Sequence, residues 1–243
     1  MIIAGPCSAE SREQVMETAR RLAAEGVGIF RAGLWKPRTR PGHFEGVGAA
    51  GIEWLAEARA AYGLRIITEL NNARNAGRLL EAGVDSIWIG ARTATNPFDM
   101  QEIADALRGC TLDVYIKNPV APDPALWLGA VERIERAGIE GRIVAIHRGF
   151  CVWGEDVFRN APVWNIPLWL KEQRPDLPVV CDPSHIAGQA RLVPHVARLA
   201  MALGLDGLFI ESHCDPAAAL SDAAQQLTPA EVGNLIRELK LKN

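Results

Sequence analysis

RIITELNNARNAGRLLEAGVDSIWIGAR, residues 65–92, holds one complete strand–helix–strand unit. RIITEL and SIWIGA are short runs rich in β-branched and aromatic side chains, the composition of strands. ARNAGRLLEAG between them has its apolar residues at helical spacing and ends on Gly83, the residue type that most readily closes a helix. Both strands lead to a charge, Glu69 in the first and Arg92 just after the second.

The unit repeats in both directions. Strands are predicted at MIIAGP, GIFRAG, DVYIKNP, RIVAIHRG, PVVCDP and GLFIES as well. Amphipathic helical stretches separate them: REQVMETARRLAAEG, GIEWLAEARAAYG, DMQEIADALRG, ALWLGAVERIERAG, NIPLWLKEQ and QARLVPHVARLAMALG, with PAEVGNLIRELKLK last. Eight strand–helix units in 243 residues match the size of a (β/α)8 TIM barrel, an α/β fold. A doubly wound open sheet also alternates, but no G-x-G-x-x-G turn follows the first strand. The reading is one (β/α)8 barrel over residues 1–243, with no further domain in this chain.

Composition narrows the function. At 49% hydrophobic and net charge -3, the chain is not built to bind nucleic acid or an acidic membrane surface. No apolar run approaches the roughly 18–20 residues that span a bilayer, and MIIAGPCSAE lacks the basic flank of a secretory signal. Five scattered cysteines without a C-x-x-C pair predict reduced thiols and a cytoplasmic protein.

Nearly every predicted strand ends at a residue with chemistry: Cys7, Arg31, Glu69, Arg92, Lys117, His147 with Arg148, Asp182 with His185, and Glu211 with His213. In a barrel these ends converge on one rim, where active sites are built. The cations are concentrated in FRAGLWKPRTRP, residues 30–41, where Lys36, Arg38 and Thr39 lie between Trp35, Pro37 and Pro41. The prolines stiffen this loop, so its donors are set before a ligand arrives, while Arg40 is read as solvated. Arg31, Lys36, Arg38, Arg92, Lys117 and Arg148 outnumber the acids near them, which points to a ligand with several anionic groups. Ion pairs along the rim are the alternative.

Cys7, His185, Glu211 and Asp222 come from the first, seventh and eighth units, neighbours once a barrel closes. Their mixed donor set suits a divalent transition metal. Spacing alone leaves other readings open: Cys7 as a core thiol, Asp222 as a helix-start residue, and His213, Cys214 or Asp215 as rival ligands.

At GPCS, KPRT, IGAR, IKN, HRG, CDPSH, IESH and LSD, in that order along the whole chain, the sequence resembles the type I 3-deoxy-D-arabino-heptulosonate 7-phosphate (DAHP) synthases, of the kind often fused to a chorismate mutase domain. The resemblance implies a (β/α)8 barrel that condenses phosphoenolpyruvate with erythrose 4-phosphate at the start of the shikimate pathway to the aromatic amino acids. It places one divalent ion (Mn²⁺, Fe²⁺, Co²⁺ or Zn²⁺) on Cys7, His185, Glu211 and Asp222. Phosphoenolpyruvate falls to Arg31, Lys36, Arg92, Lys117 and Arg148, and the phosphate of erythrose 4-phosphate to Arg38 and Thr39. Lys36, Glu69 and His185 become the catalytic candidates, and a homodimer or homotetramer is implied. Against such relatives the chain is read as a single catalytic barrel over residues 1–243, with no N-terminal regulatory or C-terminal mutase domain. HRGF departs from the continuation in other branches, so Phe150 receives no role.

Two rivals stand beside this reading. The sister enzyme, 3-deoxy-D-manno-octulosonate 8-phosphate synthase, takes arabinose 5-phosphate, and its loop reads closer to K-A-N-R-S than to K-P-R-T. A non-catalytic barrel that binds phosphometabolites would use the basic rim but has no need of the metal set.

Overall fold

A computed structural model describes residues 1–36 and 41–241. Eight parallel strands close in sequence order into a barrel, with the last hydrogen-bonded to the first. They are β1 Ile2–Gly5, β2 Ile29–Arg31, β3 Arg65–Glu69, β4 Ser86–Ile89, β5 Asp113–Lys117, β6 Ile143–His147, β7 Val179–Cys181 and β8 Gly207–Glu211. The outer helices are α1 Arg12–Ala24, α2 Ala50–Tyr62, α3 Ala76–Glu81, α5 Pro97–Ala106, α6 Pro124–Arg136, α7 Asn165–Gln173, α9 Val193–Ala202 and α10 Pro229–Glu238. Two short helices, α4 Ala91–Ala94 and α8 Pro183–Ala187, are inserted directly after β4 and β7. No helix among the described residues is long and apolar enough to cross a membrane.

Local sequence accounts for where the helices start. Pro124 and Pro229 occupy first-turn positions, where the missing N–H is no loss. Asp123 accepts from the Leu126 N–H, and Thr228 forms a reciprocal capping box with Glu231. Gly63 ends α2 in the left-handed conformation at φ 66°, as its position before β3 requires.

Strand alternation sorts the side chains into two cores. One face of each strand packs against the helices. The other fills the barrel with Ile3, Ile67, Trp88, Tyr115, Val144, Ile146, Val180 and Phe209, all buried. Trp88 and Phe209 meet edge to face with centroids 5.4 Å apart. Burying a ring of this size contributes roughly 2–3 kcal/mol, so this layer is a solid floor. Two residues further along, the same inward face carries Arg31 above Ile29, Glu69 above Ile67, Lys117 above Tyr115, and Glu211 above Phe209. The period of two therefore lifts the charges into one layer directly over the apolar floor.

At the opposite end, Asp113 ties three strands together. Its Oδ1 accepts from the Arg142 N–H at 2.9 Å, and its Oδ2 accepts from Arg142 Nη2 at 2.9 Å and Arg65 Nη2 at 3.0 Å. Burial pushes this carboxyl up, but the bonds from Arg142 and Arg65 hold it below its ordinary range. Its stabilising contribution is complete above the unfolded value of about 3.9 and fades as pH falls through the depressed folded value. Asp113→Asn is expected to cost about 1–2 kcal/mol at pH 7 by urea unfolding. It should also lose less stability than the parent between pH 5 and pH 2, and an equal acid loss in the two proteins would refute this role.

Candidate active site

The charged layer opens into a cavity of about 310 Å³ at the C-terminal ends of the strands. Arg31, Lys36, Arg92, Lys117 and Arg148 all line it, with Glu69, His185 and Asp222. Sequence reading brought these residues together, and the barrel does so in space. Arg38 and Thr39, with Pro37 and Arg40, lie outside the described residues.

Cys7, Glu211 and Asp222 form the acidic side. One ligand-type atom from each lies within 4.8 Å of the other two. Cys7 Sγ is 3.2 Å from Asp222 Oδ2 and accepts from Lys36 Nζ at 2.9 Å. Burial, with Glu211 nearby, pushes the thiol up to about 12. Glu211 is fully buried; Oε1 accepts from Arg31 Nη2 at 3.1 Å and Oε2 from Gln225 Nε2 at 2.6 Å. Burial raises its pKa, but His185 and Arg31 hold it below the usual carboxylate range. Asp222 sits at φ 48°, a left-handed conformation that aspartate tolerates better than most residues. His185 stands beside this trio, with Nδ1 3.8 Å from Glu211 Oε1 and Nε2 4.0 Å from Asp222 Oδ2.

CDPSH builds its own support. Asp182 is the N-cap of α8 and accepts from the His185 N–H at 3.0 Å. Its Oδ2 accepts from Lys117 Nζ at 2.9 Å and lies 2.8 Å from His185 Nδ1. Burial pushes the Asp182 carboxyl up, yet His185, Lys117 and Arg31 hold it well below its ordinary value. Lys117 is pulled down by burial, a shift that Asp182 opposes. Ser184 Oγ accepts from the Glu211 N–H at 2.9 Å, so the β7 and β8 ends are locked together.

The cations form the other side. Arg31 is 1% exposed, with its guanidinium 4.9 Å from the Trp88 ring and 4.4 Å from Phe209. Its Nε and Nη1 have no hydrogen-bond partner among the described residues. Burial lowers Arg148 to about 10, which leaves it charged at neutral pH. Burial also opposes the charge on Lys36, but Cys7, Glu69, Glu211 and Asp222 outweigh it and raise its pKa. Glu69 reaches the cavity because Gly90 lacks a side chain; a Cβ there would lie 2.5 Å from Glu69 Oε1.

Two strand-end residues do not join the site. His147 faces away from the barrel, against Trp164 at 5.1 Å and Phe150 at 5.8 Å. Burial and the adjacent Arg148 push its pKa down to about 3, so it is neutral packing. His213 turns toward Glu10, 3.5 Å from Nε2, and accepts the Asp215 N–H at Nδ1. Sequence reading missed Arg159, which lines the cavity and donates to Asp222 Oδ1 at 3.2 Å and Gln225 Oε1 at 2.7 Å. It also missed Asn160, buried beside it.

A closed parallel barrel with a thiol–carboxylate cluster facing buried cations defines an enzyme class that handles small anionic substrates at the strand ends. The chain belongs to the DAHP synthetase I family, whose sequence model matches residues 1–241. The phospho-2-dehydro-3-deoxyheptonate aldolase of Thermotoga maritima is 35% identical over 239 residues, spanning 98% of this chain and 68% of that protein. A 2-dehydro-3-deoxyphosphooctonate aldolase of Nitratidesulfovibrio vulgaris is 33% identical over 261 residues, spanning 98% and 90%. The crystal structure of the Thermotoga maritima DAHP synthase matches with a TM-score of 0.89 at 34% identity, over 99% of this chain and 68% of that one.

Proposed function

We propose that this chain condenses phosphoenolpyruvate with D-erythrose 4-phosphate and water, giving DAHP and inorganic phosphate. The observation that carries the reading is a cavity lined by Arg31, Lys36, Lys117, Arg148 and Asp222, with Cys7 and Glu211 buried behind Asp222 in one cluster of possible metal ligands. Phosphoenolpyruvate brings a phosphate and a carboxylate, and the sugar brings a second phosphate. Those anions would meet Arg148, whose Nη1 is held by the neutral Asn160 amide, and the cations that Glu211 and Asp182 already pair with in part.

The acidic cluster fits a divalent transition metal. Cys7, Glu211 and Asp222 each offer a possible ligand atom within 4.8 Å of the others, and their mixture of thiol and carboxylates suits such an ion. Cys7, Glu211 and Asp222 would hold the ion and His185 would complete the set. A bound ion supplies Lewis acidity toward the sugar aldehyde.

The chain's own residues do the rest. Arg148, Arg92 and Lys117 hold phosphoenolpyruvate, so that its C3 faces the aldehyde carbon to which it bonds. Lys36, kept as an ammonium by the surrounding anions, donates a proton to the oxygen left by that addition. Water adds to C2 and Glu69 takes its proton. The C–O bond to phosphate then breaks, and inorganic phosphate leaves. Arg38 and Thr39 are assigned to the sugar phosphate. Holding both reactants in one orientation is worth several kcal/mol, up to roughly 7–11, before any proton moves.

Both sugar classes occur among the relatives, so the acceptor is the point to test. Phosphate release from phosphoenolpyruvate should be at least about tenfold more efficient in kcat/KM with erythrose 4-phosphate than with arabinose 5-phosphate, a difference of about 1.4 kcal/mol. A preference for arabinose 5-phosphate would overturn the choice of acceptor.

A further inference from the structure

The segment after β6 returns to the cavity at Arg159 and Asn160, about a dozen residues beyond the strand. Paired backbone bonds between Phe150 and Ala161 at 2.8 and 2.9 Å fix its ends. Asn160 is 7% exposed and both ends of its amide are engaged. Oδ1 accepts from Arg148 Nη1 at 2.6 Å, and Nδ2 donates to the His185 carbonyl at 2.6 Å. Only one orientation of the amide satisfies both neighbours, because a guanidinium can only donate and a carbonyl can only accept.

The bond to His185 falls on a weak element. Helix α8 has five residues, too few to be stable alone, and a helix leaves its last carbonyls without internal partners. The Ser184 carbonyl takes the Gly188 N–H at 2.9 Å. The His185 carbonyl is satisfied by the Asn160 side chain, and the Ile186 carbonyl by the Asn160 N–H at 3.3 Å. Gly188 leaves room for the neighbouring Arg159, since a Cβ there would lie 2.4 Å from Arg159 Cβ. The loop is thus seated along the one helix that presents His185.

We propose that Asn160 is a positioning residue, joining the anion-binding guanidinium of Arg148 to the helix that carries His185. The proposal rests on the reading that the cavity takes phosphoenolpyruvate beside a divalent ion. Loss of the amide leaves Arg148 Nη1 with its longer, 3.3 Å bond to the Gly149 carbonyl and leaves the end of α8 unsatisfied, so both binding events weaken from one substitution that touches neither ligand.

The test uses the full chain and reads binding without turnover. Phosphoenolpyruvate affinity is measured by calorimetry, Mn²⁺ affinity by competition with a chelating dye, and folding by thermal melting. Asn160→Ala is expected to weaken phosphoenolpyruvate about tenfold, in line with loss of one charge-assisted bond, and Mn²⁺ about tenfold, as for other groups that orient a metal ligand. A lower melting temperature with both affinities unchanged would show a merely structural role and overturn the proposal. Should the alanine variant not fold, Asn160→Ser decides, since its hydroxyl reaches at most one of the two partners. A loss of threefold or more in either affinity supports positioning, and unchanged affinities overturn it. A parent protein that binds phosphoenolpyruvate and Mn²⁺ but turns over neither sugar phosphate would sink the proposed reaction alone, and these constants would still judge Asn160.

Discussion

Asp182→Ala is expected to lower the unfolding free energy by about 3–5 kcal/mol, the usual cost of removing one partner from a buried ion pair. Lys117 Nζ would lose its 2.9 Å acceptor while remaining 5% exposed. The first turn of α8 would lose its N-cap at the same time. Asp182→Asn separates the two contributions. It keeps an oxygen for the His185 N–H but removes the charge, so it should fall between the parent and the alanine variant. Urea unfolding at pH 7 measures all three. A loss below about 1 kcal/mol in Asp182→Ala would mean that Lys117 discharges at little cost and that the pair does not hold the β5 and β7 ends together.

Cys7→Ala is expected to abolish metal-dependent turnover, with a fall of at least about a thousandfold, or roughly 4 kcal/mol. The thiol is fully buried and its contacts are Lys36 Nζ and Asp222 Oδ2, both at the cavity. Removing a single sulfur from the core costs roughly 1 kcal/mol of stability, so the variant should fold and its defect should lie in the site. Bound Mn²⁺ and turnover, each with and without EDTA, provide the comparison. Cys110→Ala is the control, because Cys110 follows α5 on the outer layer. Retention of full activity by Cys7→Ala after chelation would remove Cys7 from the ligand set and metal dependence with it.

Much of this was legible in the sequence, for identifiable reasons. Strands such as RIITEL and SIWIGA are brief β-branched runs bounded by glycine and polar residues, and all eight appear where those runs are. The charges at their ends were readable because a charge directly after a buried run needs a partner. Parity was the signal not used. Ile146 faces the barrel interior, so Arg148 two positions on shares that face and His147 cannot. Helices α4 and α8 were missed because four or five residues are too few to show a helical period. Arg159 and Asn160 escaped for a different reason. They sit in an irregular segment, far from any strand end, and only the return of the chain across α8 gives them a role.

Arg31 lies over the rings of Trp88 and Phe209, pairs with Glu211 through Nη2, and has no hydrogen-bond partner for Nε and Nη1 among the described residues. A buried guanidinium held in this way would gain from an anion brought into the cavity beside it, as the proposed function requires. Folding and occupancy are then linked by mass action: phosphate-bearing solutes at a hundred times their dissociation constant would add about 2.7 kcal/mol to the folded state. Heat resistance in phosphate buffer would therefore report on the site as much as on the scaffold.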